Sequence, residues 1–156
     1  MTELQLSDPA PDFELPLRGG GSLRLSGHRG RKVVLYFYPK DDTQACTTQA
    51  RDFTALLPEF EKAGAVVIGV SPDPVSKHER FAAKHELRIN LVSDEQLDTL
   101  KAYGVWAEKS MYGRTYMGVV RSTFLIDAQG RIARIWRRVR VKEHAAEVLD
   151  AVRDMT

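Results

Sequence analysis

The single cysteine of this 156-residue sequence, Cys46, is its strongest candidate for a reacting group. It follows an apolar run, Val33 to Tyr38, that ends at Pro39, and apolar residues recur at helical spacing after it. We therefore place Cys46 in the first turn of a helix that follows a buried strand. Unpaired backbone N–H groups and the positive end of the helix dipole favour the thiolate over the thiol at such a position. The sequence thus predicts a nucleophilic sulfur.

Thr43 and Pro39 are the other residues of this stretch with a chemical interpretation. A reactive sulfur needs hydrogen-bonding groups that hold the substrate and stabilise charge on the leaving atom, and the Thr43 hydroxyl is placed to join them. The alternative for Thr43 is a cap of the helix. Pro39 either ends the strand or forms a rigid wall that shields the sulfur.

The elements that must position Cys46 follow from hydrophobic spacing and from turn residues. In chain order we first predict a hairpin of 13–17 and 22–25, a central strand 32–38, the Cys46 helix, kinked at Pro58 and ended by Gly64, and a buried strand 65–70. Two helices follow: one is capped by Asp73 with Pro74 at its first position, and the other is opened by a Ser93–Gln96 capping box and stopped by Gly104. The chain then forms a hairpin of 121–126 and 131–136 and a closing helix marked by Val141, Ala145, Val148, Leu149 and Val152. This order predicts an α/β, thioredoxin-like fold: an amino-terminal β-hairpin and a central mixed sheet flanked by helices, in one domain over 1–156.

Composition limits the possible functions. The sequence is 43% hydrophobic and 28% charged with a net charge of +2, which is typical of an ordinary globular protein and gives no strong reason to expect nucleic acid or an anionic membrane as partner. No apolar run approaches the roughly 18 residues of a membrane span, and the amino terminus has no signal character, so we interpret the protein as cytoplasmic. One cysteine excludes an internal disulfide.

For several other polar residues the sequence indicates no role in chemistry. The four histidines show no spacing that indicates a metal site or a general base. Asp41, Asp42 and Gln44 are interpreted as solvated turn residues. The basic run RIARIWRRVRV is interpreted as a strand with its charged face in water, and a patch for an acidic partner or nucleic acid is the alternative.

The residues around Cys46 resemble the peroxiredoxin signature of proline, three residues, threonine or serine, two residues and cysteine, which reads PKDDTQAC here. The longer string YFYPKDDT…CTT is similar to the peroxiredoxin Q branch, also called bacterioferritin comigratory proteins. The resemblance extends along almost the whole chain through PDFELP, GVSPD, LVSDE, GVWAEKSMYGRTYMG and RSTFLID.

The resemblance implies a thiol-dependent peroxidase. In such an enzyme the Cys46 thiolate attacks one oxygen of a hydroperoxide, water or alcohol leaves, and the sulfur becomes a sulfenic acid. Arg121 matches the family arginine that contacts the thiolate and the peroxide, although its position alone favours a surface charge. Thr43 and Pro39 take the roles given above, and no metal, haem or flavin cofactor is implied.

The segment GVWAEKSMYGRTYMG resembles a family loop near the active site. We expect its large residues to serve mostly in packing rather than catalysis: Trp106, Met111, Tyr112 and Met117.

The sequence departs from its family at the second cysteine. Many members carry a resolving cysteine five residues after the first, where Arg51 stands, and others carry it in the next helix, which here has Ala82 and Ala83. The resemblance therefore implies a one-cysteine cycle in which an outside thiol, such as glutathione, glutaredoxin or thioredoxin, reduces the sulfenic acid. Gln44 and Ala45 also replace the usual Pro-Gly. The branch suggests a monomer.

The sequence leaves two other functions to consider. A peroxide-sensing or partner-binding redox regulator with little turnover is the main alternative, since it too needs only one reactive cysteine. A thiol–disulfide oxidoreductase is disfavoured because the helix start lacks a Cys-x-x-Cys pair.

Overall fold

The computed structural model describes residues 3–155 of the chain. Their elements follow one another as β1 (Glu14–Pro16), β2 (Ser22–Arg24), a 3-10 helix (Leu25–His28), β3 (Lys32–Phe37), α1 (Gln44–Lys62), β4 (Ala65–Ser71), α2 (Val75–His85), β5 (Asn90–Ser93), α3 (Asp98–Ala102), β6 (Trp106–Met111), β7 (Arg114–Val119), β8 (Ser122–Ile126), β9 (Ile132–Arg137) and α4 (His144–Arg153). Both predicted hairpins and the predicted central strand are among them. Gly64 and Gly104 follow their helices with positive φ, as expected of residues that end a helix.

β3 lies in the middle of a five-stranded sheet with the order β5-β4-β3-β8-β9. It runs parallel to β4 and antiparallel to β8, so the sheet is mixed as predicted. Alternate side chains of β3 enter two different cores: Val34 and Tyr36 pack with α1 and α4, whereas Leu35 and Phe37 pack with α3 and the amino-terminal hairpin. A strand covered on both faces must be apolar throughout, which explains the continuous run.

The strand directions bring three chain segments to one edge of the sheet. β3 ends there at Phe37, which pairs with Ser122 at the start of β8, and Ser122 pairs with Arg137 at the end of β9. The residues that follow β3, precede β8 and follow β9 are therefore neighbours in space.

The predicted cap of α2 is wrong by one residue. Pro74, not Asp73, directly precedes the helix, and no side chain caps it. The Asp73 carboxylate instead accepts hydrogen bonds from the Asp41 N–H at 2.7 Å and the Ser71 hydroxyl at 2.9 Å. It is thus committed to the loop that precedes Cys46.

The predicted Ser93–Gln96 capping box is also wrong. α3 begins only at Asp98, after Leu97 in a left-handed conformation, and the Ser93 hydroxyl donates to the Asp73 carbonyl at 2.6 Å. The Asp94 carboxylate accepts the Leu100 N–H at 2.8 Å. Asp94 therefore satisfies one of the unpaired backbone donors in the first turn of α3.

The segment that resembles a family loop is a two-stranded hairpin of β6 and β7. Its turn has positive φ at both Tyr112 and Gly113, as a two-residue hairpin turn requires. The packing expected of its large residues is found only for Trp106, near its base, because Met111, Tyr112 and Met117 are 56%, 97% and 51% exposed. The hairpin pairs with no strand of the main sheet, which leaves these side chains in water.

Within residues 3–155, no helix has the length and apolar character needed to cross a membrane. α1, the longest, runs through Pro58 to Lys62 and carries charged residues along its length. The kink at Pro58 stays a prediction.

Candidate active site

Cys46 lies in the first turn of α1, as predicted. Thr43 is the extended residue that precedes the helix, and Cys46 is the third helical residue. Its backbone N–H is among the first four of the helix, which have no acceptor within the helix. The first turn holds no acidic residue, and the Cys46 side chain is buried with 1% of its surface exposed. The helix terminus thus offers donors and positive potential to an anion at the sulfur.

Arg121 contacts the sulfur. Its guanidinium Nη2 lies 3.3 Å from Cys46 Sγ, although the two residues are 75 positions apart. Arg121 directly precedes β8, and the antiparallel pairing of β3 with β8 places it beside the loop that follows β3. The structure therefore brings together the cysteine and the arginine that the sequence analysis singled out.

Gln49 fixes the arginine and was missed from sequence. Its Oε1 accepts a hydrogen bond from Arg121 Nη1 at 2.7 Å, and the residue is 1% exposed. Gln49 follows Cys46 by three positions, so both side chains lie on the same face of α1. That spacing was the available signal, because a polar residue on the buried face of a helix needs a partner.

Thr43 and Pro39 occupy the loop between β3 and α1. The Thr43 hydroxyl donates to the Lys40 carbonyl at 3.0 Å and does not cap the helix. Because its proton is used in this bond, its oxygen lone pairs remain free to accept a hydrogen bond. Pro39 is partly buried just beyond the end of β3. Both residues thus lie in the loop that leads to Cys46, and their catalytic roles stay predictions.

Two buried rings lie close to this site. Tyr36 stacks on Phe53 with 4.8 Å between ring centroids, and its hydroxyl has no hydrogen-bond partner among the described residues. Burial raises the pKa of Tyr36 well above its ordinary value, and the charge of Cys46 adds to this. His144 has an Nε2 2.8 Å from the Thr123 hydroxyl, and burial lowers its pKa to about 4.

The two aspartates of the loop differ in environment. Asp42 is exposed, as predicted, and hydrogen bonds from Lys84 and His85 lower its pKa. Asp41 is only 4% exposed, which contradicts its interpretation as a solvated residue. Its carboxylate contacts His78 at 2.6 Å and accepts the Tyr38 hydroxyl, so a buried polar network replaces water.

Other features of the described part of the chain indicate no metal site. Residues 3–155 contain no group of three or more His, Cys, Asp or Glu side chains that could hold a metal ion.

A cavity of about 560 Å³ lies between the amino-terminal hairpin and α3, and Cys46 and Arg121 are not among its lining residues.

The site and the fold together define a class of protein. A cysteine at a helix start, next to an arginine on a thioredoxin-like sheet, is an arrangement for thiol chemistry, and the model of the AhpC/TSA family matches residues 6–135. The chain belongs to the AhpC/TSA family.

Full-length relatives define the branch. The chain is 45% identical to peroxiredoxin Bcp of Bacillus subtilis, with 98% of each chain covered, and 47% identical to peroxiredoxin Bcp of Xanthomonas campestris, with 98% and 97% covered. The solved bacterioferritin comigratory protein of X. campestris superposes with a TM-score of 0.88 at 46% identity, covering 96% of this chain and 95% of that one. A cysteine-to-serine mutant of Xylella fastidiosa PrxQ superposes with a TM-score of 0.92 at 40% identity, covering 97% of each. The predicted peroxiredoxin fold, family and branch are confirmed, and the protein is a thiol-dependent peroxidase.

Proposed function

We propose that Cys46 is the residue that reacts with peroxide and that Arg121, Thr43 and Pro39 complete the catalytic site. The observation that carries this proposal is the 3.3 Å contact between Arg121 Nη2 and Cys46 Sγ. A fixed guanidinium at this distance places a positive charge beside the sulfur and has further N–H groups to offer to a bound peroxide.

The chemistry is a two-electron displacement. The Cys46 thiolate attacks the oxygen of ROOH that bears the hydrogen, and an S–O bond forms to give the sulfenic acid. The O–O bond breaks, and its electron pair leaves with the other oxygen as RO⁻, which takes up a proton to become ROH. Arg121 and the Cys46 N–H donate hydrogen bonds to the peroxide oxygens as negative charge moves onto the leaving one. Thr43 accepts the peroxide O–H, since its own proton is engaged by the Lys40 carbonyl. Pro39 limits access of water to the sulfur.

The second half of the cycle needs an outside thiol. This chain has one cysteine, whereas solved X. campestris PrxQ structures include serine mutants at two different cysteines. Cys46 sulfenic acid is therefore reduced by glutathione, glutaredoxin or thioredoxin rather than by a cysteine of the same chain. The work on the X. campestris protein concerns alkyl peroxide reduction, which supports organic hydroperoxides beside hydrogen peroxide as substrates of this chain.

The remaining parts of the proposal rest on the sequence. We assign the protein to the cytoplasm as a single-domain monomer that needs no nucleic acid or membrane. Size-exclusion chromatography with light scattering checks the oligomeric state of the reduced and the oxidised protein.

The test uses one equivalent of hydrogen peroxide on the reduced protein. We expect a sulfenate-trapping reagent to add one mass increment to the wild type within seconds and none to Cys46→Ser. With excess thiol, the wild type consumes many equivalents of peroxide, whereas a sensor stops after one. A free thiol that remains after stoichiometric peroxide contradicts the proposal.

A further inference from the structure

The last strand leads into the most basic stretch of the chain. Residues 128–142 hold six of the 23 basic residues and none of the 21 acidic ones. β9 ends at Arg137 on the same sheet edge as the candidate site. Just beyond it, the Val139 N–H donates to the Arg121 carbonyl at 2.9 Å. The stretch therefore runs directly beside the arginine that contacts Cys46.

Three exposed cations border the site from two segments. Arg138 and Arg140 flank Val139, and Lys40 belongs to the loop that holds Thr43. None of the three forms an ion pair with another residue within 3–155. We call Lys40, Arg138 and Arg140 the basic rim.

Negative charges close to the basic rim are compensated or lie outside it. Asp41 is buried against His78, and the exposed Asp42 is paired with Lys84 and His85. The acids nearest in sequence to Arg140 are Glu143 and Glu147 at the start of α4, and Glu147 lies 3.8 Å from His144. Neither acid of the loop that precedes Cys46 therefore offsets the positive charge of the basic rim.

The positive charge of the basic rim acts differently on the two co-reactants of the proposed cycle. A hydroperoxide is neutral and gains little from the field, whereas an anionic thiol is drawn towards it. Cys46 is only 1% exposed, so a slender molecule reaches its sulfur more readily than the surface of a folded protein does. We propose that the basic rim recruits a small thiol that bears carboxylates, of which glutathione is the chemical type, as the reductant of oxidised Cys46.

This inference rests on the proposed function and specifies its second half. The thiolate RS⁻ attacks the sulfur of Cys46 sulfenic acid, an S–S bond forms, and the S–O bond breaks with loss of hydroxide, which takes up a proton to give water. A second RS⁻ then attacks the outer sulfur of the mixed disulfide. RSSR leaves, and Cys46 returns as a thiolate, so the two thiols supply the two electrons that the peroxide removed.

The experiment separates the two halves of the cycle. The protein first reacts with one equivalent of hydrogen peroxide, and sulfenic acid is verified by trapping; its absence overturns the proposed function and this inference with it. The decay of the sulfenic acid is then timed with glutathione, with neutral 2-mercaptoethanol and with cationic cysteamine. The rate of each thiol is compared between variants, so that intrinsic thiol reactivity cancels.

The test variant is R138Q with R140Q, and the control is R31Q with R88Q. Arg31 and Arg88 are exposed and precede β3 and β5, at the opposite edge of the sheet. We expect the test variant to lose about tenfold in rate with glutathione and nothing with 2-mercaptoethanol, and 0.5 M salt to remove the wild-type advantage. The control variant keeps all rates.

Two results overturn the inference. One is equal slowing of all three thiols, or of none, by the test variant. The other is unchanged reduction by glutathione together with slower reduction by a thioredoxin-type dithiol protein, which assigns the basic rim to a protein partner. Unchanged formation of sulfenic acid in both variants leaves the proposed function intact in either case.

Discussion

The Nδ1 of His78 lies 2.6 Å from the Asp41 carboxylate, and the two side chains are 0% and 1% exposed. The other ring nitrogen, Nε2, lies 3.0 Å from the Val92 carbonyl, to which it must donate. A single proton therefore lies between Nδ1 and the carboxylate, whose second oxygen accepts the Tyr38 hydroxyl. This network ties the loop before Cys46 to α2 and β5.

Removal of the imidazole destabilises the fold. In His78→Leu the Asp41 carboxylate stays buried without its partner, and we expect the free energy of unfolding to fall by about 3–5 kcal/mol. Urea denaturation measures this loss. His85→Leu is the matched control, because its partner Asp42 is exposed and such pairs contribute little. Equal losses in the two variants contradict the assigned role of the buried pair.

The proposed role of Arg121 predicts a slower reaction with peroxide when its guanidinium is removed. We expect Arg121→Gln to slow formation of sulfenic acid about 100-fold or more, which is typical of the loss of a donor that stabilises developing charge. Arg121→Lys keeps the positive charge but lacks the planar guanidinium, so we expect its rate of sulfenic acid formation to lie between those of the wild type and Arg121→Gln. Stopped-flow measurement with hydrogen peroxide gives the rates. Arg134→Gln removes a guanidinium that lies over Trp136, and a comparable loss there counts against a specific role of Arg121.

Stability depends on pH through His144. Its imidazole takes up a proton near pH 4 in the folded protein and near pH 6.5 in the unfolded chain. The unfolded state therefore binds more protons between these values, so the contribution is fully present above pH 6.5 and is lost as the pH falls towards 4. We expect the free energy of unfolding to drop by about 1–2 kcal/mol from this group between pH 7 and pH 5. His144→Gln should flatten the profile by that amount, and an unchanged slope contradicts the assignment.

The Tyr36 hydroxyl contributes nothing to stability. It is buried and has no partner within residues 3–155, so Tyr36→Phe should leave the free energy of unfolding unchanged or raise it by up to about 1 kcal/mol. Tyr103→Phe is the control, because that hydroxyl donates to the Pro11 carbonyl at 2.6 Å, and we expect it to lose about 1 kcal/mol. Thermal and urea unfolding measure both, and a clear loss in Tyr36→Phe indicates an unseen partner.

The sequence predicted the parts of the fold that local pattern determines. β3 and β4 are continuous apolar runs because both faces of each strand are covered, and the place of Cys46 at a helix start follows from the spacing around it. Arg121 is different, since its approach to the sulfur depends on the register of β3 with β8 across 75 positions. Only the family resemblance, not its local sequence, indicated that role.

The contacts that the sequence did not predict depend on how helices and loops distant in the chain pack against one another. Asp41 lies in a run of turn formers, and its burial follows from packing of α2, which brings His78 from 37 positions away. The start of α3 depends on a left-handed Leu97, a conformation that a leucine side chain disfavours and that surrounding structure must impose. The β6–β7 hairpin has a recognisable Tyr112-Gly113 turn. Its large apolar side chains are exposed, however, and residue type alone does not distinguish them from side chains that pack in a core.

The buried, solitary sulfur has a consequence for how long each molecule stays active. In the proposed cycle the oxidised sulfur persists until a thiol arrives from outside, because the chain has no second cysteine to reduce it. During that interval another peroxide molecule converts the sulfenic acid to a sulfinic acid, which ordinary thiols do not reverse. The ratio of thiol to peroxide then sets the number of turnovers before inactivation. The fraction of enzyme that stays active therefore depends on how much peroxide, relative to thiol, the protein has met.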